Sequence, residues 1–184
     1  LRNAKATDTY ILKGEGVETW EPKFTYHGFR YVQVEGLPHA PKVGDIRVKI
    51  VRNAVAPVGK FHCSNELLNR IHRMVVATEA SNLHGVPTDC PQRDERMGWL
   101  NDLTVRIEQA VYNFDFSRFY AKFIDDIADT QHEDGTITCV APYRFGARPA
   151  DPVSASYLLL AWKSYEYYGN RNIIRDHYDG LKGW

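Results

Sequence analysis

The 184-residue chain is 43% hydrophobic and 25% charged, a composition typical of a soluble globular protein. Its 23 Lys and Arg residues balance 23 Asp and Glu residues, so no net field attracts nucleic acid, and we expect no nucleic-acid partner. No apolar run approaches the roughly 20 residues that a membrane helix needs, which argues against a membrane partner. The three cysteines form no CxxC pair, which argues against a disulfide framework and a zinc site.

The first 58 residues follow a hydrophobic period of two. Short aromatic or β-branched runs, TYILKG, KFTYHGFRYVQVEG and DIRVKIVRNAV, are separated by Gly and Pro. In the third run Ile46, Val48 and Ile50 share one face, and basic residues lie between them. This pattern predicts antiparallel strands.

Beyond Ser64, a candidate N-cap, the spacing of apolar residues becomes helical. The first predicted helix has its apolar positions at Leu67, Leu68, Ile71, Met74 and Val75. A second helix is predicted to begin near Asn101. The third has a wide apolar stripe, formed by Phe116, Phe119, Tyr120, Phe123, Ile124 and Ile127.

A connection of about 20 residues, HEDGTITCVAPYRFGARPAD, follows the third helix, and loops of this length are often functional. We expect Tyr143 and Arg144 of this connection near the rim of a pocket. Asp151 and Pro152 are expected to cap and begin a fourth helix, VSASYLLLAWKSYEYYG, which is apolar on nearly all sides and ends at Gly169. NRNIIRDHYDGLKGW begins a fifth. Such paired helices favour a layered array of α-hairpins, such as an α/α toroid.

The segment TDCPQRDERMGWLND, residues 88–102, concentrates charge at a break between two predicted helices. Pro87 and Pro91 end the first helix and Gly98 permits a sharp turn, so we expect an ordered loop over residues 86–100. Four carboxyl groups crowd this segment, and at least one is expected to have a raised pKa, as a general acid working near neutral pH requires.

Glycoside hydrolysis needs a protonated carboxylic acid beside an aromatic platform. Trp99 offers the platform, and Glu95 is the candidate proton donor. The other charged residues orient the sugar or tune the acid on this interpretation: Asp89, Arg93, Asp94 and Asp102. From charge pattern alone, a charged surface turn in which the arginines pair with the aspartates and Trp99 fills the core is the more common outcome.

TDCPQRDERMGWLND also closely resembles the signature segment of bacterial α-L-rhamnosidases of glycoside hydrolase family 78. The upstream ATDTYILKGEGVETWEPKFTYHGFRYVQVEG resembles the β-sandwich segment that precedes the catalytic barrel in that family, and DGTITCVAPY and YEYYGN resemble the barrel's next stretch. The resemblance implies an inverting hydrolase, without a cofactor, that removes terminal α-L-rhamnose from glycosides.

Carried over by position, the resemblance implies that the general acid is Glu95. The residues that it places at the sugar are Asp89, Arg93, Asp94, Trp99 and Asp102. Asn101 stands where the family usually has Gly, and because Asn also tolerates a left-handed conformation, Asp102 is expected to keep its place.

The predicted fold class is α+β and multidomain. Residues 1–58 are expected to be the C-terminal part of an antiparallel β-sandwich, and residues 59–184 the first helices of an (α/α)6 barrel, incomplete in this chain. An inverting mechanism needs a base about 6.5–9.5 Å from the acid. None of Glu108, Glu133 and Glu166 matches the family's base, so we interpret the chain as a fragment, inactive alone.

Its expected partners are a rhamnose-containing glycoside and the remainder of the parent enzyme, or another copy of itself, because an unclosed barrel leaves apolar helix faces unburied. Two alternative functions stay open: a non-catalytic carbohydrate-binding module, and an (α/α)6 glycosidase for another sugar. The compartment is open as well, cytoplasm, periplasm or outside the cell, since the chain opens on Leu1 rather than Met.

Overall fold

The computed structural model describes residue 3 and residues 5–184, so residues 1, 2 and 4 of the predicted first domain lie outside the described part. Its helices in chain order are α1 (Glu66–Ser81), α2 (Leu100–Thr104), α3 (Ile107–Asn113), α4 (Ser117–Ala128), α5 (Ser156–Tyr168) and α6 (Arg171–Gly183). Among the described residues, no helix is long and apolar enough to cross a membrane.

The segment before residue 53 is mostly exposed and irregular. Within residues 5–52 of the described chain, no strand forms, and the one backbone hydrogen bond is a turn from the Asp45 N–H to the Lys42 carbonyl (3.1 Å). The period-two runs lack the hydrogen-bonded neighbour that defines a strand. Ile46 and Ile50, on the predicted apolar face, are exposed. The predicted β-sandwich is therefore not observed in these residues.

Residues 53–59 attach this segment to the helices. The Val58 N–H donates to the Asn113 carbonyl (2.9 Å), and the Asp115 N–H donates to the Ala56 carbonyl (2.8 Å). These bonds lay the linker along the end of α3, before α1 begins.

The N-cap of helix α1 is Asn65, one residue later than the predicted cap Ser64. The Asn65 side-chain oxygen accepts hydrogen bonds from the N–H groups of Leu67 (2.9 Å) and Leu68 (3.3 Å). Asn and Ser are comparable N-caps, so sequence pattern does not decide between Ser64 and Asn65.

The single helix predicted from Asn101 is divided into α2 and α3. The Arg106 N–H bonds to the Leu103 carbonyl (3.0 Å), an i to i−3 contact that ends α2. This break aims the Arg106 guanidinium at Glu79 of α1, whose side chain is 2% exposed and lies 2.6 Å away. A buried carboxylate without its cation destabilises a fold by about 3–5 kcal/mol, so this pair holds α1 against α3.

The predicted stripe of α4 is confirmed as core. Its members are all buried: Phe116, Phe119, Tyr120, Phe123, Ile124 and Ile127. Helix α5 lies at the centre of the helical part and contacts α2, α3, α4 and α6. The core that they enclose also takes in Leu100, Leu103, Ile107, Tyr157 and Leu160.

Helix α5 begins at Ser156, not at Pro152 as predicted. Asp151 does act as a cap, but of a turn: its Oδ1 accepts from the N–H and the hydroxyl of Ser154, both at 3.1 Å. This local ring satisfies Asp151 before the helix starts. The predicted end is confirmed, with Gly169 left-handed at φ 64°.

The long connection enters the core instead of remaining a surface loop. Residues 137–141 are buried, and the Leu100 N–H donates to the Cys139 carbonyl (2.9 Å) while the Ala141 N–H donates to the Gly98 carbonyl (3.0 Å). The connection thus pairs antiparallel with the end of the charged segment, at the isolated bridge between Trp99 and Val140.

Apolar side chains are exposed on several helices, including α1 and α5. On α1 they form a face, here called the α1 face, of Leu67, Leu68, Ile71 and Met74, which are 42–62% exposed. On α5, Leu158 and Trp162 are about half exposed, so this helix is less buried than its composition predicts.

We expect the isolated chain to self-associate through the α1 face. The double variant Leu67→Lys/Met74→Lys should lower the association measured by light scattering across a concentration series, because each buried side chain of this size contributes about 1.5–3 kcal/mol. The control Asn172→Lys/Tyr178→Lys adds the same charge at exposed positions of α6 and leaves the α1 face intact. A monomer at every concentration before any substitution would contradict the expectation.

Candidate active site

The charged segment is closed into a loop by Asp89 and Met97. The Asp89 N–H donates to the Met97 carbonyl (3.1 Å), and the Met97 N–H donates to Asp89 Oδ1 (2.9 Å). The Asp89 side chain is 4% exposed. Because both bonds join Asp89 and Met97, residues 90–96 form a loop whose two ends are fixed to each other.

The sharp turn within this loop occurs at Arg96, not at Gly98. Arg96 has φ 50°, in the left-handed region that residues with a Cβ avoid. Gly98 is needed for a different reason, since a Cβ there would lie 2.2 Å from the Ala141 carbonyl oxygen. Gly98 therefore allows the close approach of the connection, and Arg96 makes the turn.

Arg93 joins two of the predicted carboxylates. One guanidinium nitrogen lies 3.2 Å from Asp89 Oδ2 and 3.0 Å from Glu95 Oε2. The Glu95 side chain is 13% exposed, and its other oxygen accepts the Trp99 indole N–H at 2.9 Å. Four predicted site residues are thus in direct contact, and both oxygens of Glu95 have donors.

Trp99 is partly buried and packs against the small cluster of Met97, Cys139 and Val140. The Phe145 ring meets it edge to face, with ring centroids 6.3 Å apart. The alternative that Trp99 fills the core is therefore right in part. Its indole also orients Glu95, a role that the sequence pattern did not reveal.

Asp102, on α2, is exposed by surface area, yet neighbouring protein atoms remove part of its solvent. This desolvation raises the pKa of Asp102, and the negative charges of Asp89 and Glu95 raise it further against the opposing effect of Arg106. A raised pKa is therefore found in this segment, but its largest cause is desolvation, and the crowding of carboxylates comes second. Asp94 is exposed and accepts a hydrogen bond from the Asn3 N–H (3.3 Å).

Cys90 is the first residue of the loop and is buried. Desolvation raises the pKa of its thiol, and the hydrogen bond with Asp89 acts in the same direction. Ligand atoms of Asp89, Cys90 and Glu95 lie within 4.8 Å of one another. Arg93 already pairs with both carboxylates, so a metal ion would have to compete with a guanidinium in this group.

The two residues predicted at a pocket rim lie on the exposed part of the connection. The Arg148 guanidinium stacks 3.7 Å from the Tyr143 ring centroid. Arg144 is exposed. The Phe145 ring contacts Trp99, and a Cβ at Gly146 would lie 3.6 Å from the Trp99 ring, so this part of the connection borders the loop.

Sequence reasoning missed the contacts made by the segment before the helices. The Arg96 guanidinium lies 4.2 Å from the Tyr26 ring centroid, and Tyr26 stacks on His84 at 4.0 Å. The period-two pattern around Tyr26 gave no signal for these contacts, because a strand prediction assigns a side chain to a face and not to a partner.

The helices that carry this loop belong to a helical six-hairpin glycosidase domain, the class that their family match defines. Residues 56–184 match the family model described as the bacterial alpha-L-rhamnosidase 6 hairpin glycosidase domain, and residues 1–52 match the bacterial alpha-L-rhamnosidase concanavalin-like domain. The chain belongs to the bacterial α-L-rhamnosidase family, which confirms the resemblance seen in the sequence.

Curated relatives include an alpha-L-rhamnosidase of Streptomyces avermitilis, 38% identical over 100% of this chain and 18% of the relative. One of Formosa agariphila is 36% identical over 94% of this chain and 19% of its own length. The chain thus spans about a fifth of the length of these relatives.

Solved structures are similar over the same region. The Streptomyces avermitilis alpha-L-rhamnosidase complexed with L-rhamnose has a TM-score of 0.94 and 36% identity, over 100% of this chain and 18% of that one. The alpha-L-rhamnosidase from Dictyoglumus thermophilum has a TM-score of 0.87 and 47% identity, over 89% of this chain and 19% of that one.

The raised pKa of Asp102 predicts a pH-dependent effect of Asp102→Asn on stability. Folding disfavours the ionised carboxylate, so the variant should be more stable than the unaltered protein above the folded-state pKa. This gain should disappear as the pH falls through that pKa towards the unfolded value of about 3.9. The measurement is the unfolding midpoint of the full-length parent at several pH values.

Asp134→Asn serves as the control with the opposite sign. Hydrogen bonds from Thr136 lower the pKa of Asp134, so this variant should be less stable at neutral pH, with the difference lost in acid. A gain for Asp102→Asn that stayed the same at every pH would argue against the desolvation of Asp102.

Proposed function

We propose that this chain is part of an inverting α-L-rhamnosidase that removes terminal α-L-rhamnose from glycosides, with Glu95 as its general acid. The observation that carries the proposal is the fixed orientation of Glu95 between Trp99 and Arg93. A general acid must be aimed at the glycosidic oxygen, and donors on both carboxyl oxygens restrict its rotation.

The substrate is proposed to be a rhamnose-containing glycoside. Support comes from the similar structure that is described as complexed with L-rhamnose. The proposed sugar-contacting residues are Asp89, Arg93, Asp94, Trp99 and Asp102. Carboxylates and a guanidinium suit the sugar hydroxyls, while an indole suits the apolar methyl group of a 6-deoxy sugar.

In this mechanism Glu95 gives its proton to the departing glycosidic oxygen while a water attacks the anomeric carbon from the opposite side. The water needs a second carboxylate as base. Glu108 is exposed and bonded by Lys163 and Tyr167, and Glu166 also pairs with Lys163, so both carboxyl groups already have partners. We therefore propose that the base lies outside this chain.

The domain division is part of the proposal: residues 1–58 as the end of a β-sandwich and residues 59–184 as the start of an (α/α)6 barrel. The match of residues 1–52 to a concanavalin-like domain model supports the first part. The period-two segments, which form no strand here, would then pair as strands with the rest of that domain in the parent enzyme.

Replacing Glu95 by Gln in the full-length parent tests the acid. The amide keeps the side-chain volume but has no proton to give, so kcat on an alkyl α-L-rhamnoside should fall by about 10²–10⁴-fold. On an aryl α-L-rhamnoside with an acidic phenol, the loss should be smaller, because that leaving group needs less protonation. KM should change little for either substrate.

The matched control is Glu133→Gln, an exposed glutamate on the connection, which should leave both rates unchanged. Unchanged turnover by Glu95→Gln would eliminate Glu95 as the acid. Retained sugar binding with no hydrolysis by the unaltered parent would favour a carbohydrate-binding module, and a panel of aryl glycosides distinguishes rhamnose from other sugars.

The stereochemical outcome is a separate test. Inversion requires that hydrolysis of an α-L-rhamnoside first release the β-anomer. NMR of the anomeric proton during the first minutes of reaction reports this product before mutarotation mixes the anomers. Release of the α-anomer first would contradict the inverting mechanism. The assignment of Glu95 as the acid would then depend on the Glu95→Gln result alone.

A further inference from the structure

Three side chains from different parts of the chain form a continuous stack beside the loop. His84 follows the end of α1, Tyr26 belongs to the segment before the helices, and Arg96 lies in the loop. Tyr26 and His84 are near parallel, with an interplanar angle of 20° and ring centroids 4.0 Å apart. The Arg96 guanidinium also contacts the Tyr26 ring, with its central carbon 4.2 Å from the ring centroid.

The environment strengthens this cation–π contact. Arg96 Nε is buried and has no hydrogen-bond partner among the described residues, so the ring face is the contact that replaces its water. Burial lowers the pKa of His84, and the charge of Arg96 acts in the same direction, against the hydrogen bond with the Ser81 carbonyl, which raises it. Gly28 brings the same segment against the loop, since a Cβ there would lie 2.9 Å from Gln92 Cα.

The stack bears on the backbone conformation of Arg96. At φ 50° the residue holds a conformation that costs free energy for any side chain with a Cβ. The conformation sets the direction of the chain between Glu95 and Met97. An anchor on the Arg96 side chain offsets the cost of the turn and keeps Glu95 within reach of Trp99.

We propose that Tyr26 is a positioning residue for Glu95: its ring holds Arg96 in the left-handed turn that directs the Glu95 side chain into the site. This assigns the segment before the helical domain a role in catalysis beyond packing. The inference rests on the proposed function for its activity readout.

The effect should fall on kcat more than on KM. Asp89 is fixed by its two bonds with Met97, and the end of the loop is fixed by the bond from Leu100 to Cys139. These contacts do not depend on Tyr26, so three of the proposed sugar-contacting residues, Asp89, Trp99 and Asp102, keep their places. Glu95 is adjacent to Arg96 and depends on the turn directly.

The experiment compares Tyr26→Ala, Tyr26→Leu and Tyr26→Phe in the full-length parent. Tyr26→Ala and Tyr26→Leu remove the π face and should lower kcat by about tenfold, the order expected for a largely desolvated cation–π contact. Tyr26→Phe keeps the face and should restore kcat to within about twofold. Tyr10→Ala is the control, because Tyr10 lies in the same segment but stacks on Trp20.

A double-variant cycle tests whether the effect passes through Arg96. Glycine adopts positive φ without steric cost, so in an Arg96→Gly background Tyr26→Ala should cause little further loss of kcat. Amide hydrogen exchange of residues 92–96 gives a readout that is independent of activity, and it should be faster in Tyr26→Ala and unchanged in Tyr10→Ala.

The outcomes separate the two proposals. An inactive Glu95→Gln enzyme with normal kcat and normal loop exchange in Tyr26→Ala would overturn the positioning role alone. Full activity of Glu95→Gln would overturn the proposed acid and with it this inference. An equal loss in Tyr26→Ala and Tyr26→Phe, or a full loss in the Arg96→Gly background, would also overturn it.

Discussion

The reciprocal bonding of Asp89 and Met97 is the constraint on which the rest of the site depends. A loop of charged residues has little apolar surface to bury, and without fixed ends its conformational entropy would disperse the side chains. The bonds between Asp89 and Met97 close the loop at its base. In the closed loop, the side chains of Arg93 and Glu95 have few accessible conformations, and they form an ion pair.

Opposite charge makes this crowding tolerable. Arg93 contacts Asp89 and Glu95, and farther along the chain Arg106 contacts the buried Glu79. Each guanidinium offsets part of the cost of removing carboxylates from water. Asp102 has only the more distant attraction of Arg106, and its raised pKa records that incomplete compensation. The balance of charges therefore differs among carboxylates that look equivalent in the sequence.

The apolar stripe of α4 was predictable because apolar spacing is local information. The stripe from Phe116 to Ile127 reads the same in the sequence and in the core. Long-range facts were not available in this way. The left-handed turn at Arg96 is contacted by Tyr26, which lies 70 residues earlier in the chain. The need for glycine at position 98 is explained by the close approach of the Ala141 carbonyl oxygen. Strand pattern likewise predicts a face but needs a neighbour before it becomes a sheet.

The position of Glu95 follows from contacts at three levels of sequence separation. Arg93 is two residues away, Trp99 is four residues away, and Trp99 is itself held by the connection through Val140. A general acid built only from local contacts would move whenever its loop moved. Trp99 is tied to Val140, and the next residue, Ala141, is buried in the helical core. The orientation of Glu95 is therefore coupled to the packing of that core, so its stability and the precision of the proposed proton transfer depend on the same contacts.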